Sequence, residues 1–291
     1  MKVNGIGVIG AGTMGRGIAY VSALGGYDTF LFDAEPKQVE AAMATIRKDF
    51  DKAVEKKLLE RAAADAAIAR IVACDKLEQA GRESDLVIEA APENMALKIE
   101  LFQKLEPRCP AGTIFATNTS ALSITEMAAA TGRPHAVIGM HFFNPVPRMK
   151  LLEIVRGLET SDTSVETCRL VGEKMGKEIA VVSESPGFIT SRINAMIGNE
   201  AFYMLESGVA SAAEIDRALK LGLNHPMGPF EMVDLVGLDV RLSILQYLHS
   251  ALGEKFRPCP LLVKYVKAGR FGRKVGRGVY DYDAAGNRIT S

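Results

Sequence analysis

Residues 3–15 read Val3-Asn4-Gly5-Ile6-Gly7-Val8-Ile9-Gly10-Ala11-Gly12-Thr13-Met14-Gly15, and this stretch decides the fold. An apolar strand, Val3 to Ile9, runs into a glycine turn that opens a helix from about Thr13 to Leu24. In such a GxGxxG turn the first glycine permits the tight bend and the second lets the backbone approach a pyrophosphate. The third lets helix and strand pack closely. The helix N-terminus adds unpaired N–H groups and a partial positive charge for the phosphates. A second strand, Thr29–Phe32, ends at Asp33, about 20 residues beyond the turn, where a carboxylate meets adenosine ribose hydroxyls. That charge repels a 2′-phosphate, so the expected dinucleotide is NAD rather than NADP; Arg16 and Arg47 are not placed to reverse the preference. The expected cofactor contacts here are Gly10, Gly12, Thr13, Met14, Gly15 and Asp33.

Working outward, the alternation continues to about residue 184. A helix begins at Pro36 and runs to about Leu59, since proline suits the first helical turn. Further strands are expected at Ile71–Ala73, Leu86–Ala90, Ile114–Thr117 and Val137–Met140, with helices between them. Such β-α alternation implies an α/β fold, a Rossmann-like, mostly parallel sheet. Capping boxes, a Ser or Thr followed three residues later by Glu, place helix starts at Ser123, Thr163 and Ser211. Near Ser185-Pro186-Gly187 the pattern changes to helix after helix, with extended structure returning at Gly278–Tyr282. The segment Phe188 to Leu205 is apolar on more than one face, as in a buried or interface helix. Two domains are expected: 1–184, Rossmann-like and NAD-binding, and 185–291, all-α, for substrate and dimerisation.

The chain has 291 residues, and at roughly 100 to 200 per domain that length favours two. Lys plus Arg is 35 and Asp plus Glu is 35, so no bulk attraction for nucleic acid exists. Hydrophobic residues are 48% and charged residues 24%, enough apolar material for a core. No apolar run approaches the roughly 20 residues of a membrane span. The N-terminal apolar run belongs to the domain itself rather than to a secretory signal. Cys74, Cys109, Cys168 and Cys259 are widely separated, without metal-ligand spacing, as in a cytoplasmic protein with reduced thiols and no metal.

Two polar clusters follow strands. Asn118-Thr119-Ser120 comes after Ile114–Thr117, and His141-Phe142-Phe143-Asn144-Pro145 after Val137–Met140. In open α/β sheets ligands sit outside the carboxyl ends of strands. The next extended segment, Leu151-Leu152-Glu153-Ile154-Val155, embeds one carboxylate in an apolar run, and a buried carboxylate needs a partner. His141 is the economical one. An imidazole held by a carboxylate at one nitrogen can take a proton at the other, which suits oxidation of an alcohol coupled to hydride transfer. The alternative is a core histidine with a satisfied hydrogen bond beside a Glu on an edge strand.

GAGTMG (10–15), TNTSAL (117–122), GMHFFNPVPRMKLLEIV (139–155), ESPGFITSRI (184–193), KLGLNHPMGPFEMVDLVGLD (220–239) and GRKVGRGVYDY (272–282) together resemble the L-3-hydroxyacyl-CoA dehydrogenases, most of all the bacterial 3-hydroxybutyryl-CoA dehydrogenases. The resemblance covers essentially the whole chain. It implies interconversion of an L-3-hydroxyacyl-CoA and NAD⁺ with a 3-ketoacyl-CoA and NADH. It implies His141 as general base and Glu153 as its orienting partner, with Ser120 and Asn144 near the substrate oxygen and the nicotinamide. Asn118 joins the cofactor contacts, as do Glu93, Lys98 and Lys274, which charge pattern alone would leave as solvated surface residues. Lys52 and Lys56, i and i+4 on one helix face, match positions that hold CoA phosphates.

One departure stands out. The family pattern PGFxxNR carries Asn before the Arg where this chain has Ser191-Arg192. Ser is shorter, so a direct substrate contact becomes water-mediated; Asn194, one helical turn on, can partly substitute. His135, His225 and His249 are left as structural or exposed. The resemblance implies an acyl-CoA substrate. The apolar helices after Phe188 suggest a homodimer through them, although a buried monomer core would give the same pattern, and charge and hydropathy predict no nucleic-acid or membrane partner. Two other readings compete: a dehydrogenase of a free hydroxy or sugar acid, of the gulonate dehydrogenase type, and a non-catalytic, crystallin-like NAD-binding protein.

Overall fold

The computed structural model describes residues 2–289. The chain divides into two compact units, Met1–Ser185 and Pro186–Ser291, each with its own apolar core.

The first unit is built on eight strands: β1 (Gly5–Ile9), β2 (Asp28–Phe32), β3 (Ile71–Cys74), β4 (Leu86–Glu89), β5 (Ile114–Thr117), β6 (Val137–Phe142), β7 (Leu151–Arg156) and β8 (Glu178–Ser183). Helices α1 (Thr13–Leu24), α2 (Pro36–Glu55), α3 (Arg61–Ala69), α4 (Leu77–Arg82), α5 (Met95–Leu105), α6 (Ile124–Ala129) and α7 (Asp162–Lys174) connect them. The order across the sheet is β3-β2-β1-β4-β5-β6-β7-β8. All pairings are parallel except β6 with β7. Chain order reverses direction beside β1, between β2 and β4. That is the switch point at which open α/β sheets bind ligands. β1 is buried at every position, as a strand covered on both faces must be.

Several expectations needed correction. The charged helix beginning at Pro36 stops at Glu55, and a separate helix, α3, follows. The segment around Lys57, whose φ is +57°, breaks the helix in a left-handed turn. β6 extends to Phe142, so His141 lies inside the strand rather than after it. Thr163 is no cap: Ser161 caps α7, its side chain accepting from the Ser164 backbone N–H, and Thr163 sits within the helix. Ser123 and Ser211 do cap their helices.

The second unit contains α8 (Thr190–Glu206), α9 (Ala212–Gly222), α10 (Pro229–Val236), α11 (Leu238–Leu252) and α12 (Pro260–Lys267). At Gly278–Tyr282 only isolated bridges occur among the described residues, not a strand. Their polar anchors are Asp234, which accepts from Val279 N, Tyr280 N and Tyr282 OH, and Asp216, which accepts from Tyr280 OH. α8 is two-faced: Ala195, Gly198, Asn199 and Phe202 are buried, whereas Ile193 and Met196 are exposed.

Candidate active site

Because β1, β4, β5 and β6 run parallel, their carboxyl ends share one edge of the sheet. That edge carries the glycine turn, residues 90–93, Asn118–Ser120 and His141.

The glycine turn has a distinct requirement at each position. Gly10 has φ +106°, and a Cβ there would meet the Ala90 carbonyl oxygen at 2.7 Å. A Cβ on Gly15 would lie 1.7 Å from the Gly10 carbonyl oxygen, so helix and strand close directly on each other. Gly12, the N-cap of α1, is different: a Cβ would meet nothing within 4 Å, and no side chain caps the helix. Open space in front of uncapped N–H groups, with Thr13 and Met14 in the first turn, fits a dinucleotide pyrophosphate. Asp33 holds this turn, Oδ2 accepting from Ala11 N at 2.7 Å and Oδ1 from Glu35 N at 3.0 Å. A carboxylate has about four acceptor sites, which leaves room for ribose hydroxyls. Beside Asp33 lies a cleft of about 290 Å³ lined also by Glu40, Asp75 and Arg47. Arg47 thus does reach the region, contrary to its sequence-based placement. Three acids outnumber the one guanidinium, so the cleft remains unfavourable to a 2′-phosphate.

Residues at the ends of β4 and β5 form one polar network. Lys98 is buried, and its ammonium donates to both oxygens of Glu89 (2.7 and 2.9 Å) and to Ala91 O (3.2 Å). It also stands 3.4 Å from Glu93. Glu93 Oε1 accepts from Thr119 Oγ1 (2.5 Å) and Ser120 N (3.0 Å), so one carboxylate fixes the Ser120 loop. Ser120 Oγ has no partner among the described residues. Glu89, which accepts from Thr117 Oγ1 at 2.6 Å, has its carboxyl pushed up by burial, against the pull of Lys98 and its hydrogen bonds. Sequence reasoning singled out Lys98 and Glu93 but missed Glu89. The available signal was a lone acid closing the apolar run Leu86-Val87-Ile88-Glu89. Asn118 Oδ1 accepts from Phe142 N at 2.9 Å, tying the end of β5 to the strand that carries His141.

β6 and β7 are in antiparallel register with His141 opposite Glu153. His141 Nδ1 lies 2.7 Å from Glu153 Oε2, and both side chains are buried. Phe143 packs its ring on the imidazole with centroids 4.5 Å apart. Asn144 is exposed in the turn that follows. The chain between the two strands is held by Lys177, whose buried ammonium donates to Val146 O and Met149 O.

Lys52 and Lys56 line a groove of about 490 Å³ with Arg148 and with apolar contributions from Tyr20, Leu24, Leu58, Pro145 and Pro147. Arg148 was not anticipated; it comes from the same 143–150 turn as Asn144. In the second unit Ser191 and Asn194 are half-buried on α8. Lys274 donates to both oxygens of Asp239 at 2.7 and 2.6 Å. Among the described residues there is no cluster of His, Cys, Asp or Glu able to hold a metal, and no helix is long and apolar enough to cross a membrane.

A glycine-rich phosphate turn, an acid after the second strand and a buried histidine–carboxylate pair at the same sheet edge define a dinucleotide-dependent dehydrogenase. The profile of the 3-hydroxyacyl-CoA dehydrogenase NAD binding domain matches residues 5–185, and that of the 3-hydroxyacyl-CoA dehydrogenase C-terminal domain matches residues 187–282. The chain belongs to the 3-hydroxyacyl-CoA dehydrogenase family and is an NAD-dependent oxidoreductase. It is 48% identical over 284 residues, 97% of this chain and 99% of the other, to a probable 3-hydroxybutyryl-CoA dehydrogenase of Bacillus subtilis. It is 48% identical over 281 residues, 96% of each chain, to the 3-hydroxybutyryl-CoA dehydrogenase of Bradyrhizobium diazoefficiens. Among solved structures, the (S)-3-hydroxybutyryl-CoA dehydrogenase PaaH1 from Ralstonia eutropha superposes with TM-score 0.94 at 41% identity, covering 97% of this chain and 100% of that one.

Proposed function

We propose that the protein oxidises short-chain L-3-hydroxyacyl-CoA thioesters, 3-hydroxybutyryl-CoA foremost, to the 3-ketoacyl-CoA, reversibly. The observation that carries this reading is the buried His141–Glu153 pair, 2.7 Å apart at the ligand edge of the sheet. When bound, NAD⁺ supplies the hydride acceptor. With Nδ1 committed to Glu153, the proton of the substrate hydroxyl goes to His141 Nε2, and the carboxylate stabilises the imidazolium that forms. The free hydroxyl of Ser120, held in place through Glu93, and the Asn144 side chain orient the substrate oxygen and the nicotinamide. Gly10, Gly12, Thr13, Met14 and Gly15 receive the pyrophosphate and Asp33 the ribose, while Asn118 serves the nicotinamide end. Lys98 contributes by fixing Glu93, and Lys274 contributes a cation from the second unit.

Lys52 and Lys56, joined by Arg148, supply three cations for the CoA phosphates over an apolar floor. A free hydroxy acid has no use for that groove, which favours the thioester. Ser191 and Asn194 on α8 are the further substrate contacts. The exposed apolar residues of the helical unit, Ile193 and Met196 on α8 and Leu221 and Leu223 at the C-terminal end of α9, support a homodimer. Four unpaired thiols support a reducing compartment such as the cytoplasm.

The test is kcat/KM for acetoacetyl-CoA with NADH, wild type beside His141→Gln. General-base assistance is worth about 10² or more, so the variant is expected to lose about 2.7 kcal/mol or more of transition-state stabilisation. A wild type that ignores acetoacetyl-CoA but reduces NAD⁺ with free 3-hydroxy acids overturns the assignment.

A further inference from the structure

Two features that are unfavourable on their own converge on one turn of the first unit. Lys177, the residue before β8, is 7% exposed. Its ammonium donates to Val146 O and, at 2.8 Å, to Met149 O. The adjacent acid, Glu178, is exposed and lies 3.5 Å from Lys150 instead. Burial pulls the Lys177 ammonium below the ordinary lysine value, and an ammonium leaves water at a cost unless acceptors await its protons. The second feature is Gly17, in the first half of α1. Its backbone is ordinary helix, where glycine is less favourable than alanine, so conformation does not call for it. Closeness does: a Cβ there would lie 2.8 Å from Val146 Cβ and 3.7 Å from Pro147 Cδ. Val146, itself buried, thus has its side chain seated in a notch of α1 while its carbonyl is held by Lys177.

What this double anchoring fixes is the position of Arg148. The two carbonyls that Lys177 holds bracket the pair Pro147-Arg148. Within the turn Arg148 N and Met149 N both donate to Pro145 O, at 2.9 and 3.0 Å. The backbone on either side of Arg148 is therefore held, whereas its side chain is exposed and makes no hydrogen bond or ion pair among the described residues. It lines the groove of about 490 Å³ with Lys52 and Lys56, and among the lining residues only Asp49 is acidic. Three cations facing one carboxylate repel one another, so the arginine stays there because the turn is held, and a ligand with several anionic groups relieves the repulsion. We propose that Lys177 is a positioning residue for CoA recognition: by gripping the 146–149 turn it keeps Arg148 in the groove as the third cation for the CoA phosphates. This deepens the function proposed above and rests on that groove receiving CoA. Asn144 lies outside the bracketed residues, so the effect falls on binding of the CoA moiety rather than on the chemical step.

The experiment measures NADH consumption with acetoacetyl-CoA and with acetoacetyl-N-acetylcysteamine, a thioester without phosphates. In Lys177→Met, kcat/KM for acetoacetyl-CoA is expected to fall about tenfold through KM, the loss of one hydrogen bond to a charged group. The phosphate-free thioester should change by less than about twofold. Free CoA and pantetheine, as competitive inhibitors of acetoacetyl-CoA reduction, should show the same contrast without turnover of the truncated thioester. Adding Lys177→Met to Arg148→Met should cost less than about twofold more, because the lysine acts through the arginine. Gly17→Ala, which pushes on the same turn from α1, should show the same selectivity and decides the matter if Lys177→Met fails to fold. Equal losses on both thioesters, or additive losses in the double variant, overturn the proposal. An Arg148→Met protein that handles acetoacetyl-CoA like the wild type refutes the groove reading, and the proposal falls with it. A loss in Arg148→Met without a selective loss in Lys177→Met and Gly17→Ala overturns the proposal alone. A wild type inactive on acetoacetyl-CoA refutes the dehydrogenase reading itself, and the proposal with it.

Discussion

Glu153→Gln isolates the charge on the carboxylate while preserving its shape. Glu153 is fully buried and its Oε2 sits 2.7 Å from His141 Nδ1, so little water screens the pair. Two unit charges about 4 Å apart at an effective dielectric of about 20 interact by about 4 kcal/mol, which bounds what the carboxylate gives a fully formed imidazolium. The proton is only partly transferred in the transition state, so about 3 to 4 kcal/mol of barrier, or 10² to 10³ in kcat, is expected to be lost. Glu153 lies far along the chain from the glycine turn and from Asp33, so the NAD⁺ KM should stay within about twofold, a loss confined to the transition state. The assay is steady-state oxidation of 3-hydroxybutyryl-CoA, followed as NADH absorbance, with a thermal melt as control. The melt should shift little, since the glutamine amide oxygen can still accept from the neutral imidazole Nδ1–H. A kcat within tenfold of wild type, with intact folding and NAD⁺ affinity, would refute the argument that the carboxylate works through the imidazole.

Two further predictions address other parts of the molecule. Gly15→Ala places a Cβ 1.7 Å from the Gly10 carbonyl and should destabilise the first unit, whereas Gly12→Ala, facing open space, should fold normally and weaken NADH binding at least about tenfold by occupying the approach that the glycine turn provides; calorimetry of folding and of NADH binding separates the two, and a Gly12→Ala protein with wild-type affinity would show that the pyrophosphate lies elsewhere. Asp234 has its carboxyl raised by burial, against the hydrogen bonds it accepts, so just above the ordinary Asp value the folded chain holds a proton that the unfolded chain has released and stability falls as pH rises through that window; the Tm of wild type minus that of Asp234→Asn should therefore be greatest near pH 4 and smaller at neutral pH, and a difference that grows toward neutral pH would contradict it.

What could be read in the sequence was what depends on near neighbours. The glycine turn, its strand and its helix act within about a dozen residues, and each residue type there answers a steric demand that the structure displays at Gly10 and Gly15. The same holds for the caps at Ser123 and Ser211, while Thr163 failed because Ser161, two residues earlier, offered its hydroxyl to the Ser164 N–H and started the helix sooner. The His141–Glu153 contact was accessible because a lone acid in an apolar strand and a histidine at the end of the preceding one have few other ways to be satisfied. Features assembled across the sheet were not legible. Glu89 acquires its meaning from Lys98 on α5 and Thr117 on β5, and Arg148 acquires its meaning from Lys52 and Lys56 at the C-terminal end of α2, distant in sequence. Lys177 is the extreme case: in sequence it is one more lysine before a strand, and only its enclosure against the carbonyls of Val146 and Met149 marks it as unusual. Local propensity reports where the chain bends and packs, whereas a charge tells its purpose only once every group that could neutralise it has been placed.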